Sequence, residues 1–396
     1  MTNNTLYIIS QHFYPSEGAT AQLVTDIASE LASDIKVIVL TSTPGDSSNR
    51  SDLKILRFST TATIETRIKN KLLHGLLFTA KALWYLSQNA VPSESHLLIA
   101  SNPPFIGLIG TFLNFTNKLT YTFLFQDLFP RSAVLAGILP ARGPMHLALR
   151  LLMRHVISNS SHPILLSQAM KHRAIKEYSL PHKYHVIQNW AVEKASPSTR
   201  HTNPLALSWN IQDQFIVFYS GNFGRLHDIV TILEAARICI GNPKILFLFV
   251  GGGAQYSLIK RYCDAFSLSN VQIRPYVSRD MLPFSLQLAD LSIVSLKPGA
   301  DDTVSPSKIY GLLASKKPIL LISSSDTALS KELKSQQIGV HVDTGDSKSL
   351  AAHIQDLSQD YQTLSRLGQN AYSYYRTNLG RNKSLDEYRQ LLVNKD

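Results

Sequence analysis

Two basic residues in punctuated loops are the positions of this chain best suited to chemistry. Lys308 lies in SPSKIYGLLASKKPILL, Ser305 to Leu321, where a proline-bounded loop opens into a short helix and then an apolar strand. A serine or threonine at the loop end is expected to cap that helix, and the free N–H groups of a first helical turn attract an anion such as a phosphate. Arg225 ends SGNFGR, Ser220 to Arg225, a glycine turn that follows an apolar run. Gly221 and Gly224 let the backbone approach a ligand closely, while Arg225, Ser307 and Lys308 supply charge and donors for its phosphates. One such turn is a weak signal, because tight turns need glycine anyway. A turn, an arginine and a lysine-bearing helix start, all at strand ends of one sheet, make a diphosphate site. In the first half, Asp127 of QDLFPRS is the carboxylate at a strand end. Capping the next helix and taking part in a reaction are equally open to it.

Strands must bring these residues together. Leu6–Ser10 reads as a strand, followed by a loop through Gly18 and Ala19 and a helix with Leu23, Ile27, Ala28 and Leu31 on one face. Ile35–Thr41 closes a strand–helix–strand unit and predicts a parallel sheet. His96–Ala100, Leu119–Phe125, Pro163–Leu166 and His185–Gln188 extend it. In open parallel sheets ligands lie at the carboxyl ends of the strands, so the loops at Ser101–Pro104 and Gln126–Ser132 should converge with Gly18 on one cleft. ASPSTRHTNP, Ala195 to Pro204, reads as a linker. The alternation then restarts with Phe215–Tyr219, Ile245–Val250 running into Gly251 to Gly253, Val271–Arg274, Leu291–Val294, Pro318–Ile322 and Val340–Val342. The expected fold is α/β, with two Rossmann-like doubly wound domains facing each other across a cleft. Their expected bounds are 1–194 and 205–376, with a linker at 195–204 and a C-terminal helix in 377–396 packing back on the N-terminal domain.

A length of 396 residues exceeds what one core usually supports, and a charged fraction of 17% with 44% hydrophobic residues describes a globular chain. The net charge of +11 predicts attraction to an anionic partner: nucleotide phosphates, a phospholipid surface or nucleic acid. Cys239 and Cys263 have no metal-ligand spacing, and two cysteines make no disulfide framework. The chain is expected to be soluble or peripheral and to reside in a reducing compartment. From Arg67 to Gln88 the pattern is helical and two-sided. Leu73, Leu76, Leu77, Ala80, Leu83 and Trp84 are expected to face the core, and Arg67, Lys71, His74, Phe78, Lys81 and Tyr85 to form an outer basic and aromatic face. That outer face fits a membrane surface and a plain solvated face equally well.

FYSGNFGR at Phe218 to Arg225, VGGG at Val250 to Gly253 and SPSKIYGLLASKKPIL at Ser305 to Leu320 resemble the motifs of GT-B-fold glycosyltransferases of family 4. FYPSEGATA at Phe13 to Ala21, QDLFPRSAVLAG at Gln126 to Gly137 and VIQNWA at Val186 to Ala191 extend the resemblance over nearly the whole chain. The chain is most similar in pattern to bacterial O-antigen and colanic acid, fucosyltransferase-like enzymes.

The resemblance implies a retaining, metal-independent transfer of sugar from a nucleotide sugar, UDP-linked by preference, to a saccharide acceptor. It implies no cofactor beyond that donor substrate, and a lipid-linked acceptor such as a polyprenyl diphosphate sugar. Arg225 and Lys308 match the positions that hold the diphosphate, and Asp127 the acidic residue of the first domain. Gly18, Gly221, Asn222, Gly224, Tyr276, Val277, Asp301, Asp302, Ser307 and Tyr310 match the donor side, and Ala19, Gln126 and Arg131 the acceptor side. Thr303 and Gly311 stand where the family often has two glutamates, and His227 where it has a lysine. The implied location is the cytoplasm, with the inner face of the cell membrane as a candidate docking surface. A nonenzymatic nucleotide-sugar-binding protein and a nucleotide-sugar epimerase are the competing readings. Nucleic-acid binding is the least supported, because the basic residues accompany no RNA or DNA module.

Overall fold

The computed structural model describes residues 5–16, 18–46, 52–58, 68–89, 91–181, 183–191 and 198–393. The chain divides into two units. Unit 1 holds Met1–Asn189, Asp302–Ser305 and Arg381–Asp396, and unit 2 holds Trp190–Asp301 and Pro306–Gly380.

Unit 1 is built on a seven-stranded sheet of β1 (Thr5–Ile9), β2 (Lys36–Thr41), β3 (Leu53–Arg57), β4 (His96–Ala100), β5 (Thr120–Leu124), β6 (Ile164–Leu165) and β7 (His185–Val186). All its pairings are parallel, in the order β3-β2-β1-β4-β5-β6-β7. The central strands are mostly apolar because helices cover both faces, and every residue of β1 and β4 is buried. At the sheet edge, β3 escapes sequence detection: LKILR turns Lys54 to solvent and leaves only a five-residue alternation. The strand order reverses between β1 and β4.

The helices of unit 1 include α1 (Ala19–Leu31), α2 (Ile68–Gln88), α3 (Gly107–Asn117), α4 (Arg131–Leu135), α5 (Pro144–Asn159) and α6 (Gln168–Tyr178). Ser167 caps α6 by accepting a hydrogen bond from the Met170 N–H. The C-terminal helix Arg381–Leu392 also belongs to unit 1. Its Arg381 and Arg389 each lie 3.3 Å from Glu30 of α1, and Arg389 lies 2.7 Å from Asp34.

The apolar side on which α2 packs is not the expected one, although Lys81 is exposed as expected. Gly75 and, spaced four apart, Phe78, Ala82 and Leu86 are buried, and Phe78 and Tyr85 pack against Phe58. Leu73, Leu76, Leu77 and Trp84 are exposed. Contact with the body of the unit is set by Gly75, where an added Cβ would lie 2.7 Å from Pro103. The helix therefore lies down on its glycine side, and counting leucines picks the wrong stripe. Arg67 and the Lys71 side chain lie outside the described residues.

Unit 2 repeats the plan with six parallel strands: β8 (Phe215–Asn222), β9 (Ile245–Gly252), β10 (Val271–Arg274), β11 (Leu291–Ser295), β12 (Ile319–Ser323) and β13 (Gly339–Asp343). The order is β10-β9-β8-β11-β12-β13, with the reversal between β8 and β11. Alternate residues of β8 feed two separate cores, Val217 and Tyr219 one, Ile216 and Phe218 the other. Of the linker expected at 195–204, residues 195–197 lie outside the described residues. Arg200–Thr202 is a 3-10 turn, and Asn203 caps a helix over Pro204–Trp209.

Candidate active site

The carboxyl ends of β8, β9 and β11 in unit 2 bring together glycine turns, Lys308 and His227. Gly221 faces Gly251 in the β8–β9 register, and the two backbones approach so closely that a Cβ on Gly251 would lie 2.0 Å from the Gly221 carbonyl oxygen. Gly251 also has φ +145°, which only glycine adopts without strain. Beyond the strand, the Phe223 N–H donates to the Gly252 carbonyl (2.7 Å) and the Gln255 N–H to the Phe223 carbonyl (3.0 Å). The Lys297 N–H donates to the Leu226 carbonyl at 2.9 Å, tying the loop after β11 to the turn after β8.

Lys308, the first residue of the helix Lys308–Ala314, reaches into this corner. Its Nζ sits 3.6 Å from the centre of the Tyr219 ring, a cation–π contact, and its Cε passes beside Gly221. The residue as a whole is half-buried, but Nζ is shut off from solvent and has no hydrogen-bond partner among the described residues. Desolvation brings its pKa down to about 7 from 10.5. An ammonium held this way lacks an anion.

His227 turns its Nδ1 to the Ser295 carbonyl oxygen at 2.7 Å. A carbonyl only accepts, so Nδ1 carries the proton. Burial, and next the Lys308 ammonium, lower the His227 pKa to about 3, so the ring is neutral at physiological pH. It therefore adds no cation where the resemblance has a lysine. Gln255 Nε2 fixes the turn by donating to the carbonyls of Gly224 and His227, at 2.5 and 2.9 Å. Arg225 is exposed and makes no hydrogen bond or ion pair among the described residues.

The other donor-side positions divide. Asn222 and Gly224 belong to the turn, and the exposed Tyr276 donates its hydroxyl to the Gly252 carbonyl at 3.1 Å, so both stand at the same strand ends. Val277 packs on the apolar core, and Tyr310 is buried within it, 5% exposed. Ser307 occupies the N-cap but its side chain makes no capping bond, contrary to the expected cap; its backbone is already helical, at φ −53° and ψ −25°, whereas a capping residue is extended. A Cβ on Gly311 would meet only the tip of Leu286, at 3.3 Å.

Unit 1 gathers a different set. Thr20 donates to Gln126 Oε1 at 3.0 Å, and the Gln126 N–H donates to Ser101 Oγ at 2.8 Å, so the start of α1 and the loops after β4 and β5 do converge. Gln126 Nε2 is buried with no hydrogen-bond partner among the described residues. The Asp127 carboxyl is raised above its usual range by burial, an effect opposed by its bond with Ser132. Gly18 and Ala19 are exposed, and a Cβ on Gly18 would meet open space.

The short segment Asp302–Ser305 joins this unit. Val304 bridges antiparallel to Asp127, and the Leu128 N–H donates to the Thr303 carbonyl at 3.0 Å. Asp302 is ion-paired to Arg131 and Arg173, and the buried Thr303 hydroxyl accepts from Arg131 Nε at 2.9 Å. Arg131 and Asp302 thus hold each other within unit 1. Asp301 stays with unit 2.

Sequence reading missed Tyr219, Gln255 and Arg173. Only Tyr219 carried a local signal, since a strand's period of two places it on the same side as Gly221.

Residues 208–374 match the family model for glycosyl transferases group 1. The chain carries a glycosyl transferases group 1 domain. Around that domain the likeness extends to curated relatives. The chain is 25% identical over 293 residues to the probable glycosyltransferase WbjE of Pseudomonas aeruginosa, covering 74% of this chain and 72% of that one. It is 35% identical over 99 residues to the putative colanic acid biosynthesis glycosyl transferase WcaI of Escherichia coli K12, covering 25% and 24%. Among solved structures, Anabaena Alr3699/HepE in complex with UDP and glucose superposes with a TM-score of 0.74 at 15% identity, over 98% of this chain and 99% of that one. The group 1 domain thus sits in a chain of GT-B fold.

Proposed function

We propose that this protein is a retaining glycosyltransferase that moves a sugar from a UDP-sugar to a saccharide acceptor in bacterial surface polysaccharide synthesis. The observation that carries this reading is the Lys308 ammonium, desolvated and unpartnered beside the Gly221–Gly251 contact. A diphosphate supplies the missing anion, and Arg225 supplies the second charge from the turn after β8. HepE was solved with UDP and glucose, and WcaI is named for colanic acid synthesis; both favour the donor and pathway class named here.

In the proposed reaction the bond from the sugar's anomeric carbon to the β-phosphate oxygen breaks while the acceptor oxygen bonds to the same face of that carbon. The acceptor's proton passes to the departing phosphate, and UDP leaves. Lys308 and Arg225 stabilise the charge growing on the diphosphate, the role that a divalent metal fills elsewhere. Asp127 and Gln126 serve the acceptor side, and Gln126 Nε2 is a ready donor for a saccharide hydroxyl. The proposed acceptor is a polyprenyl-diphosphate-linked saccharide at the inner face of the cell membrane. Among the described residues no helix is long and apolar enough to cross a membrane, so contact with that surface would be peripheral.

A second reading, binding without turnover, draws on Thr303 and Gly311, which replace the family's glutamates; Thr303 is engaged by Arg131 and not free for a ligand. A thermal-shift screen of nucleotide sugars, with a chelator present, followed by acceptor-dependent release of UDP, separates the two. Selective stabilisation by UDP-sugars with UDP release is expected. Stabilisation without release under any acceptor would establish the second reading, and no stabilisation would remove both.

A further inference from the structure

Three helices of unit 1 carry large apolar side chains on their outer faces. The α3 sequence GLIG places glycines inward: a Cβ on Gly107 would lie 2.6 Å from Val156 of α5, and one on Gly110 2.6 Å from Tyr121 of β5. The helix therefore lies flush, and its outer positions Leu108, Phe112 and Phe115, spaced four and three apart, point away from the core. Phe115 is 79% exposed, and Trp84 on the neighbouring α2 is 67% exposed. On α5, Met145 and Leu151 are exposed in the same way. One groove of about 590 Å³ runs between the three helices, lined by Leu83 of α2, Phe112 and Phe115 of α3 and His155 of α5. The faces are neighbours, not scattered residues.

Charge says what covers them. None of the chain's 28 acidic residues lies in α2, α3 or α5, and from Ser95 to Lys176 the only one is Asp127, which faces the strand ends. Exposed cations do flank the apolar face: Lys118 ends α3 at the groove and Arg142 precedes α5. An apolar plane with a cationic rim and no carboxylates matches an anionic phospholipid surface, into which aromatic and leucine side chains insert while the cations meet the headgroups. A second copy of the chain would bring an identical cationic rim against this one, which repels.

We infer that the outer faces of α2, α3 and α5 dock unit 1 on an anionic membrane, with Trp84, Phe112 and Phe115 inserted. This rests on the membrane-linked acceptor proposed above, and it reverses the sequence expectation, since the leucine and tryptophan side of α2 now meets the lipid.

The test is flotation of the full chain with vesicles of phosphatidylglycerol and phosphatidylcholine, alongside its thermal shift with UDP. Wild type should float with the mixed vesicles. Trp84→Ser with Phe115→Ser should lower binding by at least about tenfold, as the loss of two inserted aromatic side chains predicts, and leave the UDP shift unchanged. Lys118→Gln with Arg142→Gln should weaken binding at low salt and matter little at about 0.5 M salt, where rim charges are screened. Binding that is equal in wild type and the aromatic variant would overturn the inference, as would absence of wild-type binding. So would a wild-type dimer, by light scattering, that the aromatic variant dissolves into monomers. A UDP shift without vesicle binding leaves glycosyl transfer standing and removes only this surface; vesicle binding without a UDP shift does the opposite.

Discussion

The strand-order reversal in unit 2 carries an ammonium and a guanidinium with no hydrogen-bond or ion-pair partner among the described residues, set over glycine turns; the reversal in unit 1 carries an amide, hydroxyls and a carboxyl. Both units have arginines near their strand ends, but they are used differently. In unit 1, Arg131 and Arg173 close on Asp302 and are spent on holding a four-residue segment in place. In unit 2, among the described residues, Lys308 meets an aromatic ring without an anion and Arg225 is exposed without a hydrogen-bond or ion-pair partner. In the proposed function, the same doubly wound plan gives one end to a diphosphate and the other to hydroxyls. Unpaired charge, and not the count of basic residues, separates them.

Substitutions break this contrast in graded fashion. Lys308→Ala should cost the most, lowering acceptor-dependent UDP release by about 10²–10³-fold, the usual loss when one preorganised donor to developing charge is removed. Arg225→Ala should cost less, about 10–100-fold, because an exposed guanidinium acts through a wetter field and can be partly replaced by water. Its melting temperature should match wild type. Arg173→Ala should change UDP affinity by no more than about twofold while destabilising unit 1 by roughly 1–3 kcal/mol, since it leaves Asp302 short of a partner. Calorimetric melting with and without UDP checks both halves of that statement. If Arg173→Ala instead abolished UDP binding, the division into a paired and an unpaired set of cations would fail.

Much of this was legible in the sequence because it is local. Apolar runs mark the parallel strands, and Gly221, Gly224, Arg225 and Lys308 announce themselves by loop composition. What was not legible depends on partners far along the chain. Asp302 looks like a loop carboxylate until Arg131 and Arg173, more than a hundred residues away, are seen to hold it. Tyr310 looks like a ligand-facing aromatic until the core closes on it. The leucines of α2 look like core because local periodicity cannot tell that Gly75 chooses the contact side. His227 is the intermediate case: its position was visible, but its neutral state follows from the Ser295 carbonyl and the burial around it.

Titration offers the closest view of the unpartnered lysine. In the unfolded chain a lysine titrates near 10.5, whereas Lys308 titrates at about 7 when folded. The unfolded state therefore binds more protons between these values, and unit 2 should gain stability as pH rises from 7 toward 10.5. A bound diphosphate acts in the opposite sense, favouring the ammonium and raising its pKa. Binding above pH 7 must then take up a proton, and affinity should fall by up to about tenfold per pH unit until the raised pKa is passed. His227, already neutral from about 3 upward, contributes nothing in this window.

The most direct measurement is calorimetric titration of UDP into the protein at pH 8 in two buffers of different ionisation enthalpy, for wild type and Lys308→Ala. The account predicts uptake of most of one proton per UDP bound in wild type, no uptake in the variant, and weaker binding in the variant. Equal affinity in the two proteins with no proton exchanged in either would contradict the assignment of Lys308 as the diphosphate's partner.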